Sequence, residues 1–146
     1  MSREKTSRAP SGAARLATVI ALLWLTAAPA LCDNLRVRLV RTSYAELPVS
    51  DDLRDIMPAL RSSLVFKGYE LMAQAGTALP VDGKIIRLGG YAIRFEGPTT
   101  RMRIVIQRGA HTIMETVATL REGQPLLLGG FSGGGSGQVV FVFTLD

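Results

Sequence analysis

The sequence predicts an α+β fold: a mainly antiparallel β-sheet of about seven to eight short strands in a meander, with one α-helix near its start packed on a sheet face. Three observations carry this. Apolar and polar residues alternate with period two along most of the chain after residue 33. A single stretch, Leu53 to Leu64, breaks that rule with apolar residues at helical spacing. Turn dipeptides built on glycine and proline divide the remainder into strand-length pieces.

The first strand is read over Asn34–Ser43, where Leu35, Val37 and Leu39 point one way and Arg36 and Arg38 the other. Residues 44–49 connect it to a helix start at Ser50-Asp51-Asp52. A serine can accept from an orphan backbone N–H there, and the two aspartates suit the positive end of the helix dipole. Leu53, Ile56, Met57, Leu60 and Leu64 form the apolar stripe, Pro58 predicts a kink or break inside the helix, and Gly68 marks a stop. Strands follow at 69–75, 83–88, 91–96, 101–108, 111–120, 124–128 and 138–144. The last is apolar on both faces (Val139 to Phe143), which predicts a central strand covered on both sides. Pro125 places its segment at an edge or starts it mid-loop.

Residues 1–15 hold Arg3, Lys5, Arg8 and Arg15 against Glu4, residues 16–28 are uncharged, and Ala28-Pro29-Ala30 gives the small-x-small pattern of a cleavage site. This reads as a signal peptide over residues 1–30, leaving 31–146 as a single exported β-rich domain, periplasmic or extracellular. Two alternatives are an uncleaved N-terminal anchor, since the uncharged run Leu16–Cys32 has 17 residues, and a lipoprotein acylated at Cys32, against which the bulky Leu31 argues. The whole chain of 146 residues has 17 basic and 12 acidic residues, a net charge of +5. The segment 1–30 supplies four of the basic and one of the acidic residues, so the rest is close to balanced at +2. Nucleic acid is therefore not an expected partner, and a membrane is expected only through an uncleaved N-terminal segment.

Catalytic chemistry finds little support. His111 is the single histidine, after the turn Gly109-Ala110, and neither Lys67 nor Lys84, the two lysines after residue 30, lies in an S-x-x-K pattern. Asp51, Asp52 and Asp55 cluster, but a helix start accounts for the first two. One cysteine and one histidine exclude a disulfide framework and a Cys/His metal cage, so neither metal nor cofactor is expected. The run Gly129–Gly137 lacks the G-K-[ST] and following helix of a phosphate loop and reads as a hairpin loop. Phe131 within it is a candidate partner-contact residue, or folds back on the core.

The remaining signal is arginine. Arg36 and Arg38 share one face of their strand, Arg101 and Arg103 share one face of another, and Arg87 and Arg94 take outward positions too. If those strands are neighbours, Arg36, Arg38, Arg101 and Arg103 form an anion-binding face suited to bidentate capture of phosphate or carboxylate. The bland alternative is a solvated face pairing with Glu70, Glu96 and Glu115.

The nine residues Glu122–Gly130 (EGQPLLLGG) resemble the G-x-x-x-x-x-G-G hairpin of outer-membrane secretins, which implies an envelope setting and assigns no residue a role. The expected function is that of an exported, non-enzymatic envelope module acting through protein–protein contacts. Another envelope protein is its expected partner, and it serves as an accessory or assembly part of a larger secretion or surface structure. The alternative is a binding module for an anionic glycan or lipid head group.

Overall fold

The alternating segment that opens the domain forms β1 (Asn34–Ser43), ten residues whose odd positions Leu35, Val37 and Leu39 are fully buried. A computed structural model describes residues 34–132 and 137–146. Residues 1–30, read above as a signal peptide, Cys32 and residues 133–136 of the glycine-rich run lie outside the described residues. Among those described, no helix is long and apolar enough to cross a membrane.

The described residues are mostly antiparallel β-sheet with one α-helix, broadly α+β. After β1 come a 3-10 turn (Asp51–Leu53) and α1 (Met57–Ser63), then β2 (Gly68–Ala78), β3 (Ile85–Leu88), β4 (Tyr91–Glu96) and a 3-10 turn (Thr99–Arg101). The order continues with β5 (Met102–Arg108), β6 (His111–Ala118), β7 (Leu126–Ser132) and β8 (Gln138–Leu145). The strands divide between two four-stranded sheets, a first ordered β2-β1-β8-β7 and a second ordered β3-β4-β5-β6. The expectation of one meander therefore holds for the second sheet alone. In the first, β1 pairs with both β2 and β8, and the chain returns to it only after completing the second. Local alternation records which side of a strand is apolar, and strand order is decided by long-range pairing that alternation does not encode.

The two sheets share a core. Leu35, Val37, Leu39, Phe141 and Phe143 of the first cluster with Ile86, Ile93, Phe95, Ile104 and Ile106 of the second. Tyr91 and Phe141 meet edge-to-face at 5.1 Å between ring centroids, as do Phe95 and Phe143 at 6.0 Å. A second buried cluster gathers Val40, Val140 and Val142 with Leu53, Ile56, Met57, Leu60, Phe66 and Tyr69. Burial raises the Tyr69 pKa, Arg61 opposing, and its hydroxyl donates to the Phe66 and Leu60 carbonyls at 3.0 and 3.3 Å. Consecutive residues of β8 thus feed opposite clusters, the reason for its two-sided apolar sequence.

The helical segment differs from the expected single kinked helix. Ser50 accepts from the Asp52 N–H at 3.4 Å, but what it caps is the 3-10 turn. An α-helix running on from there would need an N–H at position 58 to satisfy the Arg54 carbonyl, and proline has none. The α-helix starts instead at Met57, with Pro58 in its first turn, where no donor is required. It ends at Leu64, which is already extended. Tight turns join the strands of the second sheet. Gly89 and Gly90, both at positive φ, link β3 to β4, and Gly109 at φ 61° with Ala110 links β5 to β6. These are the type I′ and type II′ hairpin patterns. β7 lies at an edge and starts just after Pro125, as that residue requires.

Candidate functional site

The four arginines expected to share a face do not meet. Leu35, Val37 and Leu39 of β1 point at the second sheet, so Arg36 and Arg38 point outward from the first. Met102, Ile104 and Ile106 of β5 point at the first sheet, so Arg103 points outward from the second, on the opposite side of the domain. Arg101 stands exposed in the turn before β5. The continuous Arg36–Arg38–Arg101–Arg103 face is thereby corrected: the alternation assigns all these residues outward, but it is blind to which sheet each strand joins.

Three of the four are also committed to carboxylates. Arg36 pairs with Asp146 at 2.9 Å. Arg38, 1% exposed, makes a bidentate pair with Asp55 at 3.1 and 2.9 Å. Arg103 bridges Glu115 on β6 at 2.8 Å and Glu96 on β4 at 2.6 Å, and these hydrogen bonds, Glu115 first, raise its pKa further. Glu70 pairs with Arg41 of β1.

The other candidates resolve individually. Asp51 pairs with Arg54 at 2.9 Å and Asp55 with Arg38, so the acidic cluster is spread over separate cations. Among the described residues no group of three or more His, Cys, Asp or Glu could hold a metal ion. His111 is exposed at the β5–β6 turn, across the ladder from Arg108. A surface hollow of about 370 Å³ is lined by Glu46, Leu47, Arg61, Phe66 and Lys67, with no serine, threonine, cysteine or histidine in its lining. Glu122–Gly130 is a turn followed by the first part of β7, which pairs with β8, so it forms no hairpin of its own.

Phe131 leads to a feature the sequence does not reveal. It is half-buried, with its ring edge-to-face to Phe141 at 6.0 Å. Around it, Ile113 and Met114 of β6 and Leu126 and Leu128 of β7 are also half-buried against the inter-sheet core. Among the described residues β6 and β7 are edge strands, each with one neighbour, so both keep an unpaired edge there. At the opposite pair of edges β2 comes up against β3, and the half-buried residues β2 contributes there are Ala73 and Ala75. The side bounded by β6 and β7 therefore combines two free edges with large, incompletely covered apolar side chains. The three consecutive leucines Leu126–Leu128 are the only trace of it in the sequence, and they read equally well as a covered strand.

Comparison with protein-family models, with curated proteins and with solved structures returns no match for this chain.

Proposed function

We propose that the protein is an exported, non-enzymatic envelope module that works by protein–protein contact, receiving an extended apolar segment of a partner protein at the side bounded by β6 and β7. The observation that carries this reading is the coincidence of two unpaired strand edges with the half-buried Ile113, Met114, Leu126, Leu128 and Phe131. An added strand takes its hydrogen bonds from a free edge, and alternate side chains fill the apolar gaps between sheets. Export rests on the charged-then-apolar pattern of residues 1–30, whose products act outside the cytoplasm. In this reading α1 and its preceding turn are the permanent cover of the first sheet's outer face, so the open side is left for the partner.

A photo-crosslinking residue at Val117 of β6, 57% exposed, tests this in the full chain, with Met72 of β2, 48% exposed, as the control position. The expected result is one adduct from Val117, none from Met72, and its loss on Met114→Asp in a protein that still melts cooperatively. The adduct should map to a partner segment alternating apolar and polar residues. A monomer alone at Val117, or the same adduct from Met72, would overturn the proposal.

A further inference from the structure

We infer that the outer face of the second sheet is a binding site for a tetrahedral oxyanion, a phosphate or sulfate group, seated over Ala92 between Arg87, Arg94 and Gln107. The register builds the site. Arg87 of β3 stands directly across from Ala92 of β4, and Gln107 of β5 stands across from Ala92 on the other side. Arg94 is two residues along β4, on the same face as Ala92, because Tyr91, Ile93 and Phe95 take the core side. Arg87 and Arg94 are thus diagonal cross-strand neighbours, about 7–8 Å apart at the backbone and within reach of a shared ligand for side chains this long. Ala92 has a one-carbon side chain, so its register position between the three longer donors is the hollow of the proposed site.

The charge of this face is uneven in a way that leaves the pair uncompensated. Its two carboxylates, Glu96 and Glu115, are both engaged by Arg103. Among the described residues neither Arg87 nor Arg94 forms an ion pair or a side-chain hydrogen bond, whereas Arg36, Arg38, Arg41, Arg54 and Arg103 all do. Gln107 donates from Nε2 to the Thr112 hydroxyl at 3.4 Å, which leaves the other N–H of its amide and the Thr112 hydroxyl proton for a ligand. Two guanidinium forks and an amide around a small residue suit an acceptor with oxygens in several directions. A lone carboxylate has two such oxygens in one plane and uses the site less fully. The site is on a different face from the β6–β7 side, so it stands or falls independently of the partner contact.

The test uses the full chain labelled with nitrogen-15 in arginine, so that each Nε–Hε signal reports its own guanidinium. Inorganic phosphate, inorganic sulfate, glucose 1-phosphate and monomeric dihexanoyl phosphatidate are titrated separately at fixed ionic strength. The expected result is saturable movement of the Arg87 and Arg94 signals, with those of Arg36 and Arg103 unmoved. The inorganic ions against the two esters show whether a free ion or an ester-borne group is preferred. Arg87→Gln and Arg94→Gln should each weaken binding at least tenfold, and Arg101→Gln, which removes equal charge outside the hollow, less than twofold. Ala92→Met fills the hollow with both arginines intact and should also abolish saturation. Movement of all exposed arginines in parallel, or binding unchanged in Arg94→Gln or in Ala92→Met, would overturn the inference.

Discussion

Arg38 and Arg36 are two residues apart on one strand and look equivalent in sequence, yet one guanidinium is buried and the other is about half exposed. The difference comes from Asp55, 17 positions on, which folds over the strand and accepts from both terminal nitrogens of Arg38. No local pattern contains that information, because alternation describes a strand before anything is laid across it. The energetics are asymmetric. Arg38 has its side chain buried and its Nε without a hydrogen-bond partner, whereas Asp55 keeps 54% of its side chain in solvent. Asp55→Ala therefore leaves a buried cation uncompensated and should lower the unfolding free energy by about 2–3 kcal/mol, below the range for a fully buried pair. Arg38→Met retains the stem's packing, returns Asp55 to water and should cost less than about 1 kcal/mol. Urea unfolding of the two variants checks this, and an Arg38→Met cost equal to that of Asp55→Ala would contradict it.

At the level of elements, the turn chemistry was the most readable part of the sequence. Gly89-Gly90 and Gly109-Ala110 end strands where the structure ends them, because a two-residue hairpin needs positive φ and glycine supplies it. The helical stripe was legible as well, since Leu53, Ile56, Met57 and Leu60 all enter one buried cluster. Its continuity was not: the same apolar spacing serves a 3-10 turn followed by a short α-helix. Pro58 distinguishes the two arrangements by sign. A proline in a helix interior costs about 3 kcal/mol or more, so its replacement by alanine would stabilise the protein. In the first turn it costs nothing in the folded state and restricts the unfolded chain, so Pro58→Ala should leave stability unchanged or lower it by up to about 1 kcal/mol. A rise in melting temperature would contradict the observed helix start. The candidate site was less legible, because free edges are a property of strand order. The sequence shows Arg87 and Arg94 as outward and leaves open which residues stand across from them.

Across the whole molecule the two buried clusters are mechanically joined through β8, which gives Val139, Phe141 and Phe143 to one and Val140 and Val142 to the other. Neither can lose β8 without uncovering the other. The clusters should therefore unfold together, and Leu60→Ala and Phe95→Ala, from different clusters, should each move a single shared transition by about 2–5 kcal/mol. Tyrosine fluorescence in single-tyrosine variants retaining Tyr69 or Tyr91 follows one cluster each. Noncoincident midpoints would show that the clusters melt separately.

The pairing of β1 with β8 also governs how the fold can be reached. Thr42 and Gln138 exchange two hydrogen bonds, at 3.0 and 2.9 Å, across a sequence separation of 96 residues. A ribosome must therefore deliver nearly the whole domain before the centre of the first sheet can close. Until then β1 and β2 can exist only as a hairpin with one edge of β1 unmatched, and the second sheet lacks the β8 and β7 half of its opposing layer. Loop closure over such a span, combined with strand-rich topology, belongs to the slow end of the range, milliseconds to seconds. A nascent chain of this design cannot complete its core until most of it has been made, and the export proposed above, through a narrow channel, would need that delay.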